Sequence, residues 1–231
     1  MRADTVSGKD GRLAGLVPTQ VMDGIIVIGG GGHAKVVINI LRKLNRYHIL
    51  GYSDPRDNGP VARVPYLGSD SELAALAARH EKLSAVLAVG QVGLGEQRFE
   101  LWIRLQSIHL TFPPIISPDA IVNEGVLSAE GAMVMDGVVV NDGATLGRGV
   151  IVNTNSTIEH DVELADWVHV APGVTISGGA SVGRFSMIGA GATVIEGVKI
   201  ADRCMVGAGA TVVHDLTERG VYVGCPARRI K

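Results

Sequence analysis

A chain of 231 residues with 46% hydrophobic content is long enough to bury a real core, which excludes disorder as the default state. The balance of 21 basic against 23 acidic residues, with a formal net charge of −2, leaves no electrostatic footprint for nucleic acid or an anionic membrane surface. Cys204 and Cys225 are too few for a disulfide framework and too far apart for CxxC chemistry, and read as packed or idle thiols in a reducing compartment.

Residues 1–23 are polar and aperiodic and are expected to form a loose leader, with Met22 an alternative start. No stretch approaches the ~20 apolar residues of a membrane span, and the leader lacks the apolar centre of a secretory signal. A cytoplasmic protein without membrane insertion is the expectation.

Residues 24–112 have the grammar of a small α/β unit. The apolar run from Gly24 to Ile28 reads as a strand, the cluster Gly29 to Gly32 with His33 as a loop, and Ala34 to Leu44 as a helix. A second strand at His48 to Asp54, a helix from Ser69 to about Arg79 and a third strand at Ser84 to Gly90 complete a Rossmann-like βαβαβ unit. Residues 96–106 again show helical spacing.

Gly29, Gly31 and Ala34 satisfy the Gly-x-Gly-x-x-Ala fingerprint, and Asp54 follows where an acidic residue takes a ribose hydroxyl in dinucleotide-binding folds. A nicotinamide cofactor is one reading. The unit stops after three strands, however, so a dinucleotide has half a seat. A nucleotide or nucleotide sugar fits better, its phosphates meeting backbone N–H groups at the helix start.

Pro113 and Pro114 open a linker into residues 113–231, where the chain changes character. From Ser117 to Val212 it divides without a gap into sixteen hexads. The sixth position is aliphatic in all but Ser128, the fourth is always Ala, Val, Ser or Cys, and the third is frequently Gly. Low aromatic content, 4%, beside 31 glycines agrees with a core of small aliphatic residues between sharp turns. A strict period of six fits neither the 3.6 of a helix nor the two of a hairpin sheet. It fits a triangular coil in which three hexads close an 18-residue turn, stacked at the ~4.8 Å strand spacing. Sixteen hexads give a little over five coils.

The polar stretch Asn153 to Asp161 interrupts this apolar repeat and contains His160. One coil of 18 residues onward lies Gly178, which should stack beside it. His48, His80, His109 and His214 sit in ordinary surface or element-end contexts. Trp167 replaces a small corner residue, and a large ring on a solenoid face is expected at a subunit seam. HxxH, HExxH and paired cysteines are absent, so no metal site is expected, and there is neither a Gly-x-Ser-x-Gly elbow nor a poised cysteine for a covalent intermediate.

The hexads resemble the left-handed parallel β-helix of the hexapeptide acyltransferases, including the closing stretch Gly224, Cys225, Pro226, Ala227. With the unit from Gly24 in front, nearly the whole chain resembles the bacterial sugar acetyltransferases. That group includes the UDP-4-amino-sugar N-acetyltransferases of bacillosamine pathways, the GDP-perosamine N-acetyltransferase and the sialic-acid O-acetyltransferases.

The resemblance implies an all-β left-handed helix, a homotrimer with its active site between neighbouring solenoids, and acetyl-CoA as co-substrate. It also implies direct transfer to a nucleotide-linked amino sugar, foremost a UDP-4-amino-4,6-dideoxy sugar for surface glycans. Gly31, Gly32, His33, Ser53, Asp54 and Gly90 would line the nucleotide-sugar site, and Asn153 would contact the sugar or support the site. His160 would be the general base, oriented by Asp161 with Glu159 as competitor. Gly178 and His169 would contact acetyl-CoA, with Ala190 and Ala208 along the pantetheine path. Three alternatives stand beside this reading: N-acetylation of GDP-perosamine, O-acetylation of sialic acid or another sugar, and a non-catalytic trimer that only binds a sugar nucleotide, against which the polar interruption at His160 argues.

Overall fold

The structure, a computed structural model, describes residues 23–79, 83–90 and 96–231; residues 1–22 of the expected leader and His80 lie outside the described residues, and Asp23, assigned to the leader, instead opens the first strand. Strands β1 (Asp23–Ile28), β2 (Tyr47–Ser53) and β3 (Leu83–Leu87) form a parallel sheet of order β2-β1-β3. Helices α1 (Gly32–Leu44), α2 (Asp70–Ala77) and α3 (Gln97–Gln106) surround it. Central β1 is apolar on both sides because both are covered. Ile25 and Val27 pack into the same cluster as Val37, Ile38 and Leu41 of α1, whereas Ile26 and Ile28 pack with Leu73, Leu83 and Leu105. Asn45 ends α1 in the left-handed conformation at φ 47°, its N–H returning to Leu41 and Arg42 carbonyls.

The rest of the chain is a left-handed parallel β-helix of about six turns with three flat faces. Face A runs from Ile115–Ile116 through Ile151–Val152 and His169–Val170 to Gly220–Val223 and the antiparallel Arg228–Arg229. Face B includes Thr157–Ile158 and Thr175–Ile176, and face C includes Glu163–Leu164 and Ser181–Val182. Strand partners are 18 residues apart, as in Ile151 with His169 and Thr157 with Thr175. The coil is longer than the hexad count implied, because Ile115–Ile116 is already a rung before Ser117 and Gly220–Val223 adds another after Val212.

The sixth position of each hexad points inward and fills the core with Val152, Ile158, Leu164, Val170 and their equivalents. From Gly125 on, the third position turns each corner with φ between 57° and 82°, in the left-handed region, whether it is Gly or one of Asn155, Asp161, Trp167, Phe185 and Arg203.

The α/β unit docks on face A. α1 packs against Ile115–Ile116, and Met133 and Ile151 on the same face are 1% and 0% exposed. Lys43 near its C-terminus bridges Asp119 at 2.7 Å and Asp136 at 2.5 Å on the first corners. α3 lies along the corner between faces C and A. Trp102 rests where a Cβ on Gly131 would stand 2.5 Å from its ring. Phe99 meets Trp167 at 5.6 Å and Phe185 at 5.7 Å, and Arg203 pairs with Glu96 at 2.6 Å.

Trp167 therefore departs from the seam expectation. It is 3% exposed and enclosed within the chain, because its left-handed corner throws the ring outward into the space that α3 fills.

Candidate active site

The site residues named from the sequence fall into three places. The first is the C-terminal end of the three-stranded sheet. The Gly29 N–H donates to Ser53 O at 2.7 Å, and the Gly30 N–H to Asp54 Oδ2 at 2.8 Å. Asp54 Oδ1 accepts the Arg56 N–H at 3.1 Å, so this carboxylate pins the glycine loop to the turn after β2. Gly31 caps α1 without a side-chain hydrogen bond, no acidic residue occupies the first turn, and a Cβ at Gly31 or Gly32 would meet nothing within 4 Å. An open, uncompensated helix start of this kind attracts phosphate. Gly90 closes the far side, a Cβ there standing 4.0 Å from His33 Cβ.

Beneath this loop three cationic or basic groups meet. His33 at the start of α1 lies beside Arg98 of α3 and His169 of face A; burial first, then the charges of Arg98 and His169, push its pKa down to about 4. His169, assigned to acetyl-CoA from the resemblance, is 6% exposed and lies in this interface between the α/β unit and the β-helix. Arg98 is 2% exposed, donates from Nη1 to Gly149 O at 2.9 Å and sits over the Trp167 ring at 5.6 Å. Burial draws its pKa down to about 9, which leaves it charged at neutral pH.

The second place is the corner between faces B and C. His160 Nδ1 and Asp161 Oδ2 are 2.9 Å apart. With the carboxylate accepting Nδ1–H, Nε2 is the free, basic nitrogen. The hydrogen bond that the ring donates to Asp161 is the main cause that raises the His160 pKa, helped by the charges of Asp161, Glu159 and Glu196. Glu159 accepts the Asn141 amide at 2.8 Å and so is committed elsewhere in the ladder. The imidazole lies over Gly178, where a Cβ would stand 2.5 Å from Nε2 and 2.6 Å from Cε1. Among the described residues the Gly178 N–H donates to no acceptor, while its neighbour Gly179 donates to His160 O at 2.9 Å.

The third place is the corner between faces A and B. Ala190 and Ala208 are stacked there, exposed, with the Gly209 N–H on Ala190 O at 2.9 Å. A Cβ at Gly173, Gly191 or Gly209 would meet nothing within 4 Å, so this corner offers a narrow shelf of bare backbone. Asn153 stands on the same corner and turns inward on its own chain, Oδ1 accepting the Thr154 N–H at 2.8 Å. Face B separates this shelf from His160 within one chain.

Sequence reasoning missed Arg98 and Glu196. Glu196 was within reach of the arithmetic, two coils of 18 after His160 with Gly178 between; Arg98 carried no signal, being one of several charges on an amphipathic helix.

Fold and corner together define a hexapeptide-repeat transferase fronted by a nucleotide-type α/β unit. The model of the PglD N-terminal domain matches residues 24–100, and that of the bacterial transferase hexapeptide (six repeats) matches residues 143–178 and 179–214. The acetyltransferase domain of PglB from Neisseria gonorrhoeae, solved in complex with acetyl coenzyme A, is 32% identical, with 90% of this chain and 100% of that one covered at a TM-score of 0.82. PerB from Caulobacter crescentus, solved in complex with CoA and GDP-perosamine, is 35% identical, with 90% and 97% covered at a TM-score of 0.81. WeeI from Acinetobacter baumannii shares the fold at 20% identity, 89% and 99% coverage and a TM-score of 0.78. None of the curated proteins matches. The chain belongs to the hexapeptide-repeat sugar acetyltransferases with a PglD-type N-terminal domain.

Proposed function

We propose that this chain is an acetyl-CoA-dependent N-acetyltransferase for a nucleotide-linked amino sugar, foremost a UDP-4-amino-4,6-dideoxy sugar serving surface glycan synthesis. The observation that carries the proposal is the His160 imidazole, held by Asp161 through Nδ1 with Nε2 turned toward Gly178. Residues 24–112 would hold the nucleotide sugar at Gly31, Gly32, His33, Ser53, Asp54 and Gly90, and residues 113–231 would carry the transfer.

Acetyl-CoA supplies the acetyl group as a thioester: the sugar amine forms the new C–N bond as the C–S bond breaks. His160 Nε2 takes the proton from the attacking amine and returns it to the departing thiolate. The uncommitted Gly178 N–H is placed to hold the developing oxyanion. Ala190, Ala208 and the bare backbone beside them fit a narrow pantetheine chain. Because face B separates that shelf from His160, a complete site needs the shelf of one copy beside the His160 corner of another, which supports a homotrimer.

GDP-perosamine is a second reading of the acceptor, favoured by the likeness to PerB in complex with it. Release of CoA thiol from acetyl-CoA should occur with one member of a panel of UDP- and GDP-linked amino sugars and fall at least about 100-fold in His160→Ala. Release by the hydroxyl analogue at an equal rate would favour O-acetylation, and release by no member would sink the enzymatic reading.

A further inference from the structure

Arg98 is out of place in a domain interface. Taking a guanidinium out of water is costly unless it is paired, and Leu or Met would fill the same volume without that cost. Yet among the described residues Arg98 has a single hydrogen bond, to Gly149 O, and its Nε and Nη2 meet no acceptor. Glu96, two residues away, spends its carboxylate on Arg203. Gln91 to Gly95, just before α3, contain no acidic residue. The stacking on Trp167 fixes the guanidinium plane without neutralising it.

What the charge does act on is His33. Among the described residues the groups facing that imidazole are Gly90 after β3, Arg98 from α3 and His169 from face A, and no carboxylate is among them. Its Nε2 is buried and meets no partner among the described residues. Gly31 and Gly32, which precede His33 in the chain, are open.

We propose that Arg98 is the positioning residue of the nucleotide-sugar site, seating His33 against the β-helix so that its ring meets the ligand from one fixed place. Burial, with the Arg98 charge beside it, keeps the imidazole uncharged. It then offers one N–H and one lone pair, set to discriminate by direction and not by charge. The anchor at Gly149 ties that setting to the β-helix, so loop and solenoid hold a common geometry. This inference rests on the reading of Gly31 to His33 as the nucleotide-sugar site.

The test uses the full chain with Arg98→Met, which keeps the stem and removes the charge, and Arg98→Lys, which keeps the charge and loses the fork. Two quantities are read: the titration of the His33 ring by NMR, and KM for each substrate. In Arg98→Met the His33 midpoint should rise from about 4 and KM for the nucleotide sugar should rise about tenfold, the weight of one misplaced hydrogen bond from the His33 ring, with KM for acetyl-CoA within about twofold. Arg98→Lys should keep the low midpoint and show an intermediate KM. A folded Met variant with wild-type His33 titration, or a folded Lys variant with wild-type nucleotide-sugar KM, overturns the proposal. So does a variant in which both KM values move together while the titration stays put. If no sugar nucleotide is turned over, the site reading fails separately, and the titration still reports whether Arg98 sets the state of His33.

Discussion

Gly178→Ala is a substitution whose effect follows from one distance. The added methyl would stand 2.5 Å from His160 Nε2 and 2.6 Å from Cε1, against about 3.5 Å for an ordinary contact. The backbone at Gly178 is outside the left-handed region, so alanine is tolerated there and the imidazole must give way. A displacement of about 1 Å stretches the 2.9 Å bond to Asp161 beyond hydrogen-bond range and turns Nε2 off its line. Misplacement on that scale costs about 100-fold in rate. The ring is well exposed, so its movement disturbs no core, and Tm should fall by no more than about 3 °C. Initial rates of CoA release, a thermal melt and the double variant with His160→Ala make the assay. The double variant should be no slower than His160→Ala alone, since the methyl acts only through the ring. Full activity in Gly178→Ala, or additive losses in the double variant, would refute the steric account; a loss of folding would show that the coil, not the imidazole, absorbs the methyl.

The rate should rise with pH through the His160 midpoint, which the Asp161 hydrogen bond holds above the ordinary histidine value; Asp161→Asn should move that midpoint down and lower the plateau rate, read from kcat/KM against pH. Trp167→Ala should cost roughly 3–5 kcal/mol, as the loss of a buried ring enclosed by Phe99 and Trp102, and denaturant unfolding will measure it. His33, with a folded pKa of about 4 against 6.5 unfolded, takes its proton first in the unfolded chain, so its share of stability is whole above about pH 6.5 and is lost as pH falls toward 4. Urea midpoints across that window should show a loss of up to about 3 kcal/mol that His33→Gln abolishes; an unchanged slope in His33→Gln would place the acid sensitivity elsewhere.

The repeat made the β-helix legible because period six has one packing solution, and the +18 step placed Gly178 under His160 before any coordinates did. The hydrophobic runs likewise gave the three strands of the sheet and their order of helices. How the two parts meet was not legible. Trp167, Phe185 and Arg203 occupy the same hexad position at 18-residue intervals, so the sequence did contain a column of bulky residues on one corner. Whether α3 or another subunit covers such a column depends on where the α/β unit docks, which no periodicity encodes. Asp54 reads from its spacing both as a nucleotide-sugar residue and as a turn residue; its carboxylate accepts the Gly30 and Arg56 N–H groups, a local role that turn-forming acids share and that spacing alone does not separate from ligand binding.

The three corners of the coil are chemically different although one repeat builds them all. A left-handed non-glycine residue costs on the order of 1 kcal/mol, so glycine is the default third residue, and each departure needs a compensating contact. On the corner between faces C and A the compensation is packing: Trp167, Phe185 and Arg203 reach the aromatic and acidic side of α3. On the corner between faces B and C it is a hydrogen bond, since the left-handed Asp161 brings its carboxylate back onto the preceding imidazole. On the corner between faces A and B the glycines persist from Gly173 to Gly209, and the second position shrinks to Ala190 and Ala208. A strained residue held by no neighbour would simply be lost to glycine. The positions where the repeat breaks its own rule therefore mark where the coil meets a partner group, the α/β unit at one corner and the His160 imidazole at the second; on the proposed function the second corner would face the acetyl acceptor and the bare third corner the acetyl donor.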